Sequence, residues 1–254
     1  VEKPLADSVE HSAALCSLAA RAGRVLMVGH VFVFNSAARH VKHYIKSGDL
    51  GRIYYISMTR TNLGPIRVDV DAAWDLAAHD ISIANHWLDA VPVSVSARGG
   101  SWINPGIADA VFAVLTYPGN VLVNLQASWL NPRKARDITV VGDKQMLTFD
   151  DMNIAEPLRL YDKHVADDRS QPGFVDSFAS FRMSVRDGNI LVPKVPMSEP
   201  LRNECEHFLD CVLKGETSLA GGPEGHAVVC VLDAISRPVG DGGHCKHVAA
   251  LLLT

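Results

Sequence analysis

The chain has no Cys-x-x-Cys pair, no long apolar run, no stripe of Lys or Arg and no Gly-x-Gly-x-x-Gly turn. Each absence excludes something. The five cysteines, Cys16, Cys205, Cys211, Cys230 and Cys245, are odd in number and scattered. That argues against a disulfide framework or zinc knuckle and makes a reducing cytoplasm the expected location. Without about 18 consecutive apolar residues there is no membrane-span signal, and no secretory signal is visible. A net charge of −4 and a pI near 6.3 leave no footprint for nucleic acid. The missing glycine-rich turn removes the usual cradle for a dinucleotide pyrophosphate. GRVLMVGH has two glycines at the wrong spacing, and GGPEG lies near the end. Repeats and low-complexity tracts are also absent.

What is present is an ordinary globular composition. The 254 residues are 48% hydrophobic and 20% charged, enough for one large domain or two modest ones. The first residue is Val, which reads as a cloning boundary, a processing site or an incomplete upstream region. Asp7 or Ser8 can cap a helix over about 9–22, closed by Gly23. RVLMVGHVFVFN then reads as a strand buried on both faces, and together they suggest the last helix and strand of a parallel unit. A helix over 37–46 follows, capped by Ser36, then a strand over 52–60. Beyond Asp89 the pattern alternates: 91–98, then 109–117 and 120–129 as a hairpin turning at Pro118–Gly119. Two more strands flank Gly142–Asp143, and 157–162 is another strand. Residues 163–197 lack strong periodicity and read as a long, partly ordered excursion. Helices over 200–213 and 224–236 precede GDGGH and an apolar tail. The expected fold class is α/β plus α+β: a remnant of a Rossmann-type parallel sheet, then an α+β domain with a large, mostly antiparallel open sheet.

The stretch VDAAWDLAAHDISIANHWLD (70–89) organises the rest. It has no Gly or Pro, and helix-like spacing predicts a helix from about Asp71 or Ala72. Asp75 and His79, four apart, then share a face. A carboxylate so placed can orient an imidazole and raise its basicity, as proton abstraction requires. The plainer reading is a helix-surface ion pair. A third, with His79–Asp80, His40 and His43 as ligands of a metal phosphohydrolase, requires an all-helical fold, which the strands over 91–162 oppose; no metal site is expected. His11, His30 and His86 read as structural, with His30 at a strand end near the site. Trp74 and Trp102 read as core or as flanks for a sugar. Asp150–Asp151 reads as a solvated turn. On strand 120–129, Asn124, Gln126 and Ser128 make a polar, uncharged face suited to an interface between copies.

Five motifs occur in order: VEKPLA, VGHVFVFN, SGDLGRIYYI, WDLAAHDISI and SWLNPRKARDITVVGDKQMLTFDD. Through them the chain, from Val1 to about Gly242, resembles the C-terminal two-thirds of the glucose-fructose oxidoreductase / inositol dehydrogenase / rhizopine catabolism (Gfo/Idh/MocA) family. Its members are NAD(P)-dependent sugar and cyclitol dehydrogenases. WDLAAHD and SWLNPRKAR look most like the branch acting on nucleotide-linked amino sugars. The resemblance implies Lys3, Asp75 and His79 as catalytic residues and Glu2, Lys3 and Pro4 beside the nicotinamide. It implies Arg60, Asn62, Lys134 and Arg136 near a sugar or cyclitol substrate. It also implies NAD or NADP as cofactor, held weakly here because the glycine-rich half is missing, and a homo-oligomer. Residues 1–34 would be the end of the nucleotide-binding domain, 35–242 the substrate and oligomerisation domain, and 243–254 an atypical tail. The alternative is an inactive fragment or scaffold that self-associates through its sheet.

Overall fold

The computed structural model describes residues 1–165, 185–240 and 246–247. The middle of the predicted 163–197 excursion and nearly all of the tail lie outside the described residues.

Nine strands form one sheet: β1 (Ile53–Leu63), β2 (Ser94–Gly100), β3 (Ala110–Tyr117), β4 (Val121–Ser128), β5 (Leu130–Gly142), β6 (Met146–Asp150), β7 (Leu158–Val165), β8 (Val185–Leu191) and β9 (Lys246–His247). Their order is β8-β7-β6-β5-β1-β4-β3-β2-β9. Only β1 and β4 run parallel; the other pairs are antiparallel. This is the open, mostly antiparallel sheet that the alternation predicts. On β4, Val123, Leu125 and Ala127 are buried while Leu122 and Asn124 are exposed, so strand periodicity separates a core face from an open one. β3 and β4 are joined at Pro118–Asn120, where Gly119 takes φ 75°, a conformation glycine adopts without strain. β8 arises in the stretch that lacks alternation and pairs with β7.

Among the described residues the α-helices are α1 (Val9–Ala22), α2 (Ser36–Ser47), α3 (Ala78–Leu88), α4 (Pro200–Lys214) and α5 (Gly222–Gly240), of which α5 packs on β2 and α1 and α3 pack on α5. Ser8 accepts from the His11 amide at the start of α1, and Gly23 closes it at φ 58°. At α2 it is Asn35, not Ser36, that caps, accepting from the amides of Ala37 and Ala38. Leu5, Val9 and Val28 share one buried cluster with the sheet residues Ile56, Val123 and Ile138 and with Val228 to Leu232 of α5.

The predicted strand over 24–35 does not form. Met27 makes a single antiparallel bridge to Gly221, and Val31–Phe34 is a short 3-10 turn. An apolar run becomes a strand only where neighbours complete its ladder, and the run alone cannot show that. Val28, Val33 and Phe34 are nonetheless buried.

The central helix opens differently from an α-helix. After Ala72, residues Ala73–Ala77 form a π-turn, which passes into α3. Asp71 holds the start: its carboxylate accepts from the Trp74 amide (2.9 Å) and from Ser236 Oγ (3.1 Å).

Candidate active site

The inner face of the sheet ends in a cluster of charged and aromatic side chains. Arg60 and Arg136 are register partners on β1 and β5, two steps beyond the core residues Met58 and Ile138. Arg60 is 6% exposed and gripped by Asp80 of α3: Nε donates to both carboxylate oxygens at 3.0 Å, and Nη2 donates to Oδ1 at 2.7 Å. This bidentate geometry is what keeps a buried guanidinium tolerable. The Arg60 guanidinium lies 4.5 Å from the centre of the Phe32 ring and that of Arg136 lies 5.7 Å from it. Arg136 also donates to Asp151 at 2.9 Å, and Asn35 donates to the same carboxylate.

His79 meets the edge of Phe32, with ring centroids 5.0 Å apart. Its Nδ1 is buried and has no hydrogen-bonding partner in the protein. Burial, then the positive charges of Arg60 and Lys3, hold its pKa well below the usual imidazole value. The ring is therefore neutral at pH 7. His30, 1% exposed, has neither ring nitrogen paired, and burial together with Lys3 pushes its pKa down to about 4.

Lys3 reaches the same place from the chain's first segment. Its Nζ donates to the Asp75 carbonyl at 2.5 Å and lies 3.7 Å from Asp75 Oδ1. Burial lowers its pKa, Asp75 opposing this and Arg60 and Arg67 adding to it.

The predicted Asp75–His79 hydrogen bond is not made. Asp75 Oδ2 accepts from Trp129 Nε1 at 3.0 Å, and Oδ1 faces Lys3 and Arg67. Asp75 lies inside the π-turn and His79 beyond it on α3, and the Asp75 carboxylate is taken up by these partners from other segments. Asp75 positions Lys3, not His79.

Of the other residues singled out from sequence, Asn62 donates to the Gly64 carbonyl at 2.6 Å. Lys134 is exposed, two residues before Arg136 on β5. Glu2 is exposed and Pro4 half-buried. Asp151, Phe32 and Trp129 were not given roles in this site by sequence; His30 was read as a structural residue near it, and Asp80 only as a ligand in the metal reading. The signal for Asp80 was its place directly after His79, but its partner is 20 residues away on a strand. Among the described residues, no group of three or more His, Cys, Asp or Glu could hold a metal ion. No helix among them is long and apolar enough to cross a membrane.

Such a site, with an unpaired neutral imidazole and a lysine at the end of an open sheet, has the parts needed to move a proton at an alcohol. Residues 38–148 match the GFO/IDH/MocA C-terminal domain. The chain is 26% identical over 231 residues to scyllo-inositol 2-dehydrogenase (NAD(+)) of Bacillus subtilis, covering 86% of this chain and 61% of that enzyme. To UDP-N-acetylglucosamine 3-dehydrogenase of Acidithiobacillus ferrooxidans it is 25% identical over 230 residues, covering 90% and 67%. A solved structure of the latter enzyme superposes with a TM-score of 0.76 at 23% identity, covering 94% of this chain and 70% of that one. The chain thus spans about three-fifths of the length of the first relative.

His30 and His79 offer ring nitrogens without a protein partner, and Lys3 a cation, at this end of the sheet. For a dinucleotide pyrophosphate the described residues offer no glycine-rich cradle. The sequence has no glycine-rich turn, and the free amides at the start of α2 are taken by Asn35 Oδ1.

Proposed function

We propose that this chain carries the substrate-side machinery of an NAD(P)-dependent dehydrogenase acting on a carbinol of a sugar, such as a nucleotide-linked amino sugar, or of a cyclitol. The observation that carries the reading is His79: a buried, neutral imidazole with a free nitrogen, in electrostatic reach of Lys3. A bound nicotinamide supplies the acceptor for the hydride. The residues here handle the proton. His79 accepts it from the hydroxyl, and Lys3, fixed by Asp75, stands as a cation beside the developing alkoxide. Phe32 and the paired Arg60 and Arg136 wall the site and keep His79 neutral. Lys134, exposed beyond Arg136, is the cation open to phosphate or carboxylate groups of a larger substrate. Residues 1–34 are read as the nucleotide-side segment and 35–242 as the substrate domain. Among the described residues, no disulfide joins Cys16, Cys205, Cys211 or Cys230, which suits the reading of a reducing cytoplasm.

The test is steady-state kinetics of His79→Asn in the chain joined to a glycine-rich nucleotide-binding half, with circular dichroism to verify folding. A positioned general base contributes roughly 10²–10⁴-fold, so turnover should fall by about that factor while substrate affinity changes little. A folded variant retaining its turnover within about threefold would pass the role to Lys3.

The open face of the sheet supports self-association. Asn124 lies on it with exposed Tyr55, Phe112, Val114 and Leu122, a mixture suited to a partner copy better than to water. Sedimentation should show a species heavier than 27.5 kDa, shifted toward the monomer by Phe112→Glu. A single 27.5 kDa species at high concentration would count against this reading.

A further inference from the structure

A proton taken up by a buried base must reach solvent before the next turnover. One turn along α3 from His79 the structure holds a cavity of about 610 Å³ between α2, α3 and α5. One wall is the face of α3 that carries Ser82, Asn85, His86 and Asp89, which continue from His79 at steps of three or four residues. At 1.5 Å per residue this stripe runs about 15 Å, from the candidate base to the exposed end of the helix. His30 forms part of the opposite wall.

Among the described residues, His30 Nδ1 and Nε2, His79 Nδ1 and Asn85 Nδ2 are buried polar atoms without protein partners; His30 and Asn85 line the cavity, and His79 precedes its first α3 residue, Ser82, by one turn. Asn85 Oδ1 is occupied by Tyr117 and Ser82 Oγ donates to the His79 carbonyl, so these contacts hold their side chains in place. Buried nitrogens of this kind are satisfied by water, and the cavity has room for several molecules. At the mouth, Lys42 pairs with Asp89 and donates to the carbonyl of His86. The charged and titratable groups facing the cavity are Lys42 and Lys46 from α2, His86 and Asp89 from α3, and Glu224 from α5.

We propose that His30 and the α3 face of the cavity form the proton exit of the site, carrying the proton from His79 to solvent at Asp89. The proposal rests on the reading of His79 as base. The hydroxyl proton binds one nitrogen of His79. His30, neutral, accepts a proton on one nitrogen and releases the other into the cavity water. His30 is restored by tautomer exchange, no electrons move, and the proton count is unchanged. The low pKa values of His30 and His86, each about 4, keep both rings neutral and able to accept and donate.

The test needs no turnover. Proton exchange of the His79 ring N–H with water is measured by nitrogen-15 NMR on the chain, against the backbone amides of α3. In the wild type the ring proton should exchange at least about tenfold faster than those amides, whose exchange needs local opening. His30→Phe and Ala227→Phe, which fills the cavity from α5, should remove that advantage, while His30→Gln should retain part of it. Exchange as slow as the amides in the wild type overturns the proposal on its own, even where neither filled variant folds. So does fast exchange unchanged in both folded variants. Failure of His79→Asn to lower turnover, with fast exchange intact, would instead remove the catalytic reading and leave the conduit.

Discussion

Removing the Asp80 carboxylate should be the most damaging single change at the site for the stability of the fold. Arg60 and Asp80 are 6% and 2% exposed and share three contacts of 2.7–3.0 Å. Asp80→Ala leaves a guanidinium buried with no carboxylate. Breaking such a pair from one side costs about 3–5 kcal/mol. The Phe32 ring face, 4.5 Å away, offers the orphaned cation roughly 0.5–2 kcal/mol, too little to offset the loss. Removing both charges is a different perturbation. Arg60→Met with Asp80→Leu eliminates the desolvation cost along with the attraction, and should lie within about 1–2 kcal/mol of wild type or exceed it. The assay is urea unfolding followed by circular dichroism for wild type, both single variants and the double variant, closed as a thermodynamic cycle. The reasoning fails where Asp80→Ala costs less than about 1 kcal/mol, or where the double variant loses as much as the single one.

Acid should unfold the protein earlier than carboxylates alone would require. His30 has a folded pKa of about 4 against an ordinary 6.5, so between those values the unfolded chain binds a proton that the folded one refuses. Stability is therefore full above pH 6.5 and falls as pH drops toward 4, by about 3 kcal/mol from His30 and further from His79. His30→Phe should flatten that slope in thermal melts from pH 7 to 4; an unchanged slope refutes the assignment. Gly142→Ala should cost at least about 1–3 kcal/mol, because the added carbon collides with the backbone carbonyl of Leu50 where neither chain can yield. Urea midpoints measure it, and a loss under about 0.5 kcal/mol would show that the Leu50 turn moves freely.

The sheet was legible because its strands alternate. Val123, Leu125 and Ala127 against Asn124 and Gln126 state a face with no reference to the rest of the fold, and β2 to β7 follow such local patterns. The 24–35 run was not legible, because Val28, Val33 and Phe34 are buried in a strand and in a 3-10 turn alike. Lys3, Arg60, Asp75, His79 and Arg136 were named from sequence, and the structure brings them to one end of the sheet. Their pairing was hidden, since Arg60 with Asp80 and Asp75 with Trp129 are contacts across elements. Sequence spacing reports neighbours only along one regular helix.

That regularity breaks at Ala73–Ala77. π-turns are rare, are weaker than α-helix and recur at functional sites. Here the turn is held by Asp71 on the Trp74 amide and by Ser236, which accepts from Trp74 Nε1 and donates to Asp71. A carboxylate against His79 would favour the imidazolium. The Asp75 carboxylate, on the π-turn, is engaged instead by Lys3 and Trp129 Nε1. His79 is held neutral by burial first, and then by the charges of Arg60 and Lys3. Asp75 is the only carboxylate in direct contact with Lys3 among the described residues, and that contact opposes the loss of its proton on burial. Burial and two cations thus hold His79 as a neutral base, while Asp75 works to keep the lysine beside it charged.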